Sequence, residues 1–70
     1  MSSPVSYSIV VPVYNEEGNI EILSQKLTEV LQRGNVLYEI IFADDGSTDN
    51  SFQIIKRLAQ SDSHVRGISL

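Results

Sequence analysis

The apolar run Tyr38-Glu39-Ile40-Ile41-Phe42-Ala43 leads directly into the polar stretch Asp44-Asp45-Gly46-Ser47-Thr48-Asp49. The first part predicts a buried strand, the second a turn, and the amphipathic residues after it a helix. Open α/β sheets bind ligands where a strand ends just before a helix. The stretch therefore predicts a parallel sheet with a ligand-binding corner at the paired carboxylates.

A second corner of this kind lies earlier in the chain. Residues 7–13 contain the β-branched run Ile9-Val10-Val11 and are apolar on both faces, which predicts a strand buried on both sides. Pro12 has no N–H to donate, so regular strand pairing is expected to fail there. The polar turn Tyr14-Asn15-Glu16-Glu17 follows.

Amphipathic segments separate the predicted strands. The first helix is expected to begin at Ile20, after several acids, and to stop at Gly34; its apolar stripe is Ile20, Leu23, Leu27, Val30 and Leu31. The second is expected to be capped by Ser47 or Thr48, with Asp49 in its first turn; its stripe is Phe52, Ile55, Leu58 and Ala59. Residues 65–70 predict a third strand. Strand, helix, strand, helix, strand is the order of a parallel, Rossmann-like α/β sheet.

The composition limits what the chain can be. Its 70 residues allow one small domain, with residues 1–6 expected as a flexible lead-in and residues 7–70 as the domain. There is no cysteine, and the net charge of −4 argues against a basic phosphate-backbone binder. No membrane segment or signal peptide is predicted, so we expect a cytoplasmic protein. Because the sequence ends on an apolar strand, we expect a truncated domain.

The two corners together predict a nucleotide site. Parallel strands end at the same edge, about 4.8 Å apart, which brings Tyr14 and Glu16 near Asp45. A tyrosine ring can stack on a nucleobase, and carboxylates can accept hydrogen bonds from base N–H groups or ribose hydroxyls. No glycine-rich phosphate loop is present, so the diphosphate would need another partner, most simply a divalent metal.

Taken alone, each of these residues is explained at least as well by a structural role. Asp44 can cap the turn, Asp49 can be a helix-start acid, Tyr14 an ordinary rim residue, and Glu16 and Glu17 dipole acids. The single His64 is expected on a surface loop, without the partners of a zinc site. A serine-triad interpretation lacks the nucleophile elbow, and an EF-hand starting at Asp45 lacks the required glycine and glutamate.

Residues 8–17 followed by residues 38–49 closely resemble the N-terminal part of family 2 glycosyltransferases. The nearest likeness is to polyprenyl-phosphate sugar transferases, such as dolichol-phosphate mannosyltransferases and undecaprenyl-phosphate glycosyltransferases, and it extends over residues 7–70. The resemblance implies the N-terminal part of a GT-A domain that binds a UDP- or GDP-sugar. Matching positions imply nucleotide contacts at Pro12, Tyr14, Glu16, Ala43 and Asp45, with Asn15 and Asp44 in support.

The family's Asp-x-Asp element, which binds Mg²⁺ or Mn²⁺, does not occur in this sequence. The resemblance therefore implies nucleotide binding without transferase activity for this chain alone. Two alternatives stay open. One is a receiver-like domain, although here the acid pair follows the second strand and not the first. The other is a non-enzymatic fragment that self-associates through an exposed sheet edge.

Overall fold

A computed structural model describes residues 6–70, which form a three-stranded sheet and two helices. The elements are β1 (Ser6–Val13), α1 (Ile20–Arg33), β2 (Leu37–Asp44), α2 (Ser51–Ser61) and β3 (Val65–Ser69). Strand β2 lies in the middle and pairs in parallel with both neighbours. The predicted Rossmann-like α/β fold is confirmed. Most of the predicted lead-in, residues 1–5, lies outside the described residues, and Ser6 already belongs to β1.

The hydrophobic core lies between the sheet and the helices. Ile40 and Phe42 of β2 are fully buried in one cluster with Ile20 of α1 and Ile55 of α2. Two consecutive right-handed crossovers in the same direction place both helices on one face of the sheet. The core of the described residues is therefore one-sided.

The opposite face of the sheet is open, and the predicted burial of β1 on both faces is wrong for residues 6–70. Val10 of β1 is 62% exposed and Ile68 of β3 is 44% exposed. On the same face, Glu39 of the central strand β2 accepts a hydrogen bond from Ser8 and lies 3.7 Å from Arg66. The apolar run of β1 indicated a strand correctly, but only its alternate residues reach the core.

Strand pairing does not fail at Pro12. Pro12 is in register with Ala43, Val13 is in register with Asp44, and the Asp45 N–H donates to the Val13 carbonyl at 2.9 Å. Backbone groups of successive strand residues point to opposite sides, so those of Pro12 face away from β2. Its missing N–H removes no hydrogen bond from the sheet, as is usual for a proline on an edge strand.

Helix α1 packs on a face slightly rotated from the predicted stripe. Ile20 is buried, and Leu27 and Leu31 pack against the core, but Leu23 and Val30 are exposed. Ser24 is buried in their place. The predicted stripe of α2 is confirmed, because Ile55 is fully buried and Phe52, Leu58 and Ala59 pack around the core.

The ends of the helices differ from the predictions in detail. Gly34 follows α1 in an ordinary right-handed conformation, and Asn35 takes the left-handed one, with φ of 51°. Helix α2 begins at Ser51, later than a cap at Ser47 or Thr48 would place it, and Asp49 precedes it. At the end of α1, Asn35 can take the place of a left-handed glycine, because the side chain of asparagine can hydrogen-bond locally.

Helix α2 lies very close to β3 at Gly67. A Cβ atom on Gly67 would be 2.5 Å from Cγ2 of Ile55, which is shorter than any van der Waals contact. The missing side chain therefore lets the helix and the strand approach each other closely.

Candidate functional site

The strand register brings the two predicted corners side by side. Because Val13 pairs with Asp44, the turn that follows β1 lies against the loop that follows β2. We call these segments the first corner, residues 14–19, and the second corner, residues 45–50. Together they form the carboxyl edge of the sheet, the edge at which α/β proteins bind ligands.

Three successive backbone N–H groups of the first corner donate to side chains that follow β2. The Asn15 N–H donates to Ser47 Oγ at 2.9 Å and the Glu16 N–H to Ser51 Oγ at 2.9 Å. The Glu17 N–H donates to Asp49 Oδ2 at 3.3 Å. Oxygens of the second corner and of the first residue of α2 therefore hold the first corner by its backbone.

The first corner returns hydrogen bonds through its side chains. Oδ1 of Asn15 accepts the Thr48 N–H at 2.8 Å and the Asp49 N–H at 3.3 Å, and Glu17 Oε2 accepts the Asn50 N–H at 3.3 Å. Asn15 has a φ of 50°, in the left-handed region. This conformation is uncommon outside glycine and is tolerated best by asparagine and aspartate.

These contacts explain why the first corner does not serve as a phosphate-binding loop. Successive backbone N–H groups around a left-handed residue form a concavity that binds anions in many proteins. In the first corner the N–H groups of residues 15–17 are already bonded to oxygens of the protein. A diphosphate therefore finds no free set of amides there.

Asp44 has a structural environment. It is 2% exposed, its carboxylate accepts the Ser47 hydroxyl and, at 3.3 Å, the Ser47 N–H, and its carbonyl accepts the Leu70 N–H at 2.8 Å. This is the turn-capping arrangement considered from the sequence. Asp44 thus lies under the second corner, whereas its neighbour Asp45 lies on the surface.

The other predicted contact residues are accessible along this edge. Tyr14 is 58% exposed, and Glu16 and Asp45 are exposed as well. Pro12 is exposed and its neighbour Ala43 is half-buried. The Glu16 carboxylate accepts a hydrogen bond from Asn19 Nδ2 at 2.9 Å, which leaves its second oxygen for a ligand. One aromatic ring and two carboxylates are therefore presented together.

Asp49 is the titratable group whose environment is most distinct. The hydrogen bond with the Ser51 side chain is the main cause that holds the pKa of Asp49 below its usual value of 3.8. Loss of hydration, the second largest effect, raises this pKa, and the backbone N–H groups of Ser51 and Glu17 lower it further. The carboxylate is thus stabilised in its charged form. It belongs to the contacts between the corners.

Two depressions flank the sheet. One of about 150 Å³ lies beside the first corner, between β1 and the start of α1, and Glu16 and Asn19 form its polar rim. A larger one of about 320 Å³ lies at the opposite end of the strands, next to Tyr7 and Tyr38. The smaller one adjoins predicted contact residues, and the larger one is remote from both corners.

His64 lies on the loop before β3, as predicted, and it is packed there. Its ring stacks on Tyr38 with centroids 4.2 Å apart, and its Nδ1 is 3.2 Å from Asp62 Oδ1. Within residues 6–70, no group of three histidines, cysteines or carboxylates is close enough to hold a metal ion. None of the helices in these residues is long and apolar enough to cross a membrane.

Ser51 is the residue that sequence reasoning missed. It is fully buried, and its hydroxyl accepts the Glu16 N–H. A serine at the start of a helix is usually a cap for its own helix, and nothing in the sequence shows that this hydroxyl serves a turn 35 residues away. Only the parallel register reveals the contact.

Comparison with known proteins adds a family. The sequence model of the protein family described as glycosyl transferase family 2 matches residues 8–70. The chain is 44% identical over 66 residues to an uncharacterised glycosyltransferase of Bacillus subtilis, covering 94% of this chain and 20% of that protein. It is 51% identical over 65 residues to an undecaprenyl-phosphate 4-deoxy-4-formamido-L-arabinose transferase of Shewanella sediminis, covering 90% and 19%. The chain thus spans about a fifth of the length of these relatives.

Proposed function

Because the chain belongs to glycosyltransferase family 2, we propose that residues 7–70 are the nucleotide-binding part of an enzyme that transfers a sugar from a UDP- or GDP-sugar. The observation that carries the proposal is the pairing of the two corners. Tyr14, Glu16 and Asp45 are exposed on one edge of the sheet, the Glu16 N–H donates to Ser51 Oγ, and the Asp45 N–H donates to the Val13 carbonyl.

In this proposal the base and ribose bind at the corners. The Tyr14 ring supports the base, at a gain of about 1–3 kcal/mol for stacking. The Asp45 carboxylate accepts base N–H groups, and Glu16 accepts a ribose hydroxyl. Pro12 and Ala43, which are adjacent in the strand register, provide backbone and apolar contacts beneath the nucleoside. Asn15 and Asp44 support the two turns.

The diphosphate and the transferred sugar bind outside these residues. The amides of the first corner are occupied, and the described residues contain no group of three carboxylates, histidines or cysteines that could hold a metal ion. Mg²⁺ or Mn²⁺, where the whole enzyme uses one, would be held by residues beyond this sequence. We therefore propose that the 70-residue chain binds nucleotide without catalysing transfer.

We propose a polyprenyl phosphate as the acceptor of the whole enzyme, at the cytoplasmic face of a membrane. The support is the printed name of several relatives, which are undecaprenyl-phosphate 4-deoxy-4-formamido-L-arabinose transferases that are 42–51% identical to this chain. The acceptor site lies outside residues 1–70 in this proposal.

A titration of the isolated chain tests nucleotide binding. The ¹⁵N-labelled protein is titrated by NMR with UDP, GDP, CDP and ADP, with and without Mg²⁺, which is used in place of Mn²⁺ because it is diamagnetic. Calorimetry, with and without Mn²⁺, gives the dissociation constants. We expect UDP or GDP to shift the amide signals of Tyr14, Glu16 and Asp45. A folded spectrum that none of these nucleotides changes would refute the proposal for this chain.

A second candidate function is self-association through the sheet. In the described residues β1 has no neighbour on its outer edge, and Val10 on the open face is 62% exposed. Unpaired edges and exposed apolar faces favour association. Sedimentation at tens of micromolar measures this, and a clean monomer at that concentration would exclude it.

A further inference from the structure

We infer that Ser51 is a positioning residue for the nucleotide, an inference that rests on the proposed function. Ser51 does not touch the ligand. It holds the backbone of Glu16, and so sets the place of the first corner relative to the second. The sequence resemblance assigns it no role.

The Ser51 hydroxyl is buried and accepts a hydrogen bond from the first corner. Ser51 is 0% exposed, and its Oγ accepts the Glu16 N–H at 2.9 Å. The Asp49 carboxylate, two residues earlier, accepts the Ser51 N–H at 2.9 Å. Asp49 in turn accepts the Glu17 N–H. Two successive amides of the first corner therefore end on Ser51 and on its immediate partner.

Ser51 connects the first corner to helix α2, which packs on the core. It is the first residue of α2, one turn before Ile55, which is fully buried and lies directly over Gly67. Because Ile55 packs closely on Gly67, the first turn of α2, which carries Ser51, lies directly against β3. Through Ser51 the first corner is anchored to the core, in addition to its contacts with the second corner.

A hydroxyl is the group that this position requires. Alanine would leave the Glu16 N–H without its acceptor, and a longer side chain does not fit where no surface is exposed. Without the contact, the Glu16 carboxylate would no longer have a fixed distance to Asp45. A ligand that contacts both would then have to order the first corner on binding.

The test compares Ser51→Ala with Ile40→Val, a control that loses stability in the middle of β2, away from both corners. Both variants are titrated with UDP and GDP well below their melting temperatures, and amide exchange is followed by NMR. We expect Ser51→Ala to speed exchange of the Glu16 amide and to weaken nucleotide binding about tenfold, as for one lost hydrogen bond. The control should bind within twofold of the original chain.

The outcomes separate the two proposals. If the original chain binds nucleotide and Ser51→Ala binds as tightly as the control, the role of Ser51 is refuted and the proposed function stands. If the folded original chain binds neither UDP nor GDP, the proposed function fails, and the role of Ser51 fails with it. Should Ser51→Ala not fold, Ser51→Cys replaces the hydroxyl with a slightly larger thiol that is a weaker acceptor, and it must show the same change in smaller measure.

Discussion

Oδ1 of Asn15 lies 2.8 Å from the backbone nitrogen of Thr48, 33 residues further along the chain. It accepts that N–H and the next one, so a single carboxamide organises the later part of the second corner. The left-handed backbone of Asn15 directs its own N–H to Ser47 at the same time. Asn15 thus contacts the second corner with both its backbone and its side chain.

Substitutions of Asn15 separate its backbone role from its side-chain role. Gly and Asp both tolerate its left-handed φ, but only Asp keeps an oxygen for the Thr48 N–H. We expect Asn15→Gly to lower the free energy of unfolding by about 1–2 kcal/mol and Asn15→Asp to lower it less, measured by urea unfolding at physiological salt. Equal losses in both variants would contradict a role for the side-chain acceptor.

Asp49 makes the contacts between the corners dependent on pH. Its pKa is lowered on folding, so folding favours the charged form. Its stabilising contribution is complete above the usual value of 3.8 and is lost as the pH falls below this value, through the lower folded pKa. We expect the original chain to exceed Asp49→Asn in unfolding free energy at pH 6. That difference should shrink below pH 4, and a constant difference would argue against it.

Gly67 and Gly18 provide a matched pair of substitutions. Gly67→Ala places a Cβ against Ile55 and must push α2 away from β3, whereas a Cβ at Gly18 meets nothing within 4 Å. We expect Gly67→Ala to cost about 1–3 kcal/mol of unfolding free energy. Gly18→Ala should be close to neutral. Thermal unfolding of both variants checks this, and similar melting temperatures would show that α2 is not held so closely.

Tyr14 is expected to contribute through its ring. Tyr14→Phe keeps the flat face, and Tyr14→Ala removes it. We expect the alanine variant to lose about 1–3 kcal/mol of nucleotide binding free energy, roughly 5–150-fold in affinity, and the phenylalanine variant to lose little. Because Tyr14 is 58% exposed, neither change should alter the melting temperature appreciably. Calorimetric titration with the preferred nucleotide is the measurement.

Asp45 is expected to select the base. Guanine and uracil each present a ring N–H that a carboxylate can accept, whereas cytosine and adenine present a ring nitrogen acceptor at the corresponding place. Asp45→Asn can donate as well as accept. We expect this variant to bind UDP or GDP more weakly and to discriminate less against CDP and ADP. Unchanged ratios of the four dissociation constants would exclude Asp45 from base recognition.

Element order and strand direction were predictable from the sequence because they depend on local periodicity. The runs around Ile40 and Ile9 indicated strands, and the stripe around Ile55 indicated a helix; all three are confirmed. The packed face of α1 was predicted less well, since Leu23 and Ser24 differ by only one position on the helix. The packing of α1 against the rest of the core, including α2, decided between them, and local periodicity does not contain it.

The proximity of the two corners was also predictable, because parallel strands end at one edge. The contacts that join them were not. A hydrogen bond from the Glu16 backbone to Ser51 depends on the register of β1 and β2 and on the height of α2. Similarly, the tolerance of Pro12 depends on which edge its backbone faces. Both are tertiary facts that no pattern of residue types records.

Pro12 also determines how far a neighbouring strand could extend along the free edge of β1. The outward-facing backbone groups of the described strand belong to alternate residues, among them Ser8, Val10 and Pro12, and the last of these offers a carbonyl but no N–H. A strand that added to this edge would be hydrogen-bonded beside Ser8 and Val10 and would lose its pairing at Pro12. An added strand would therefore diverge before it reached Tyr14, and the edge between the two corners would stay open to an incoming ligand.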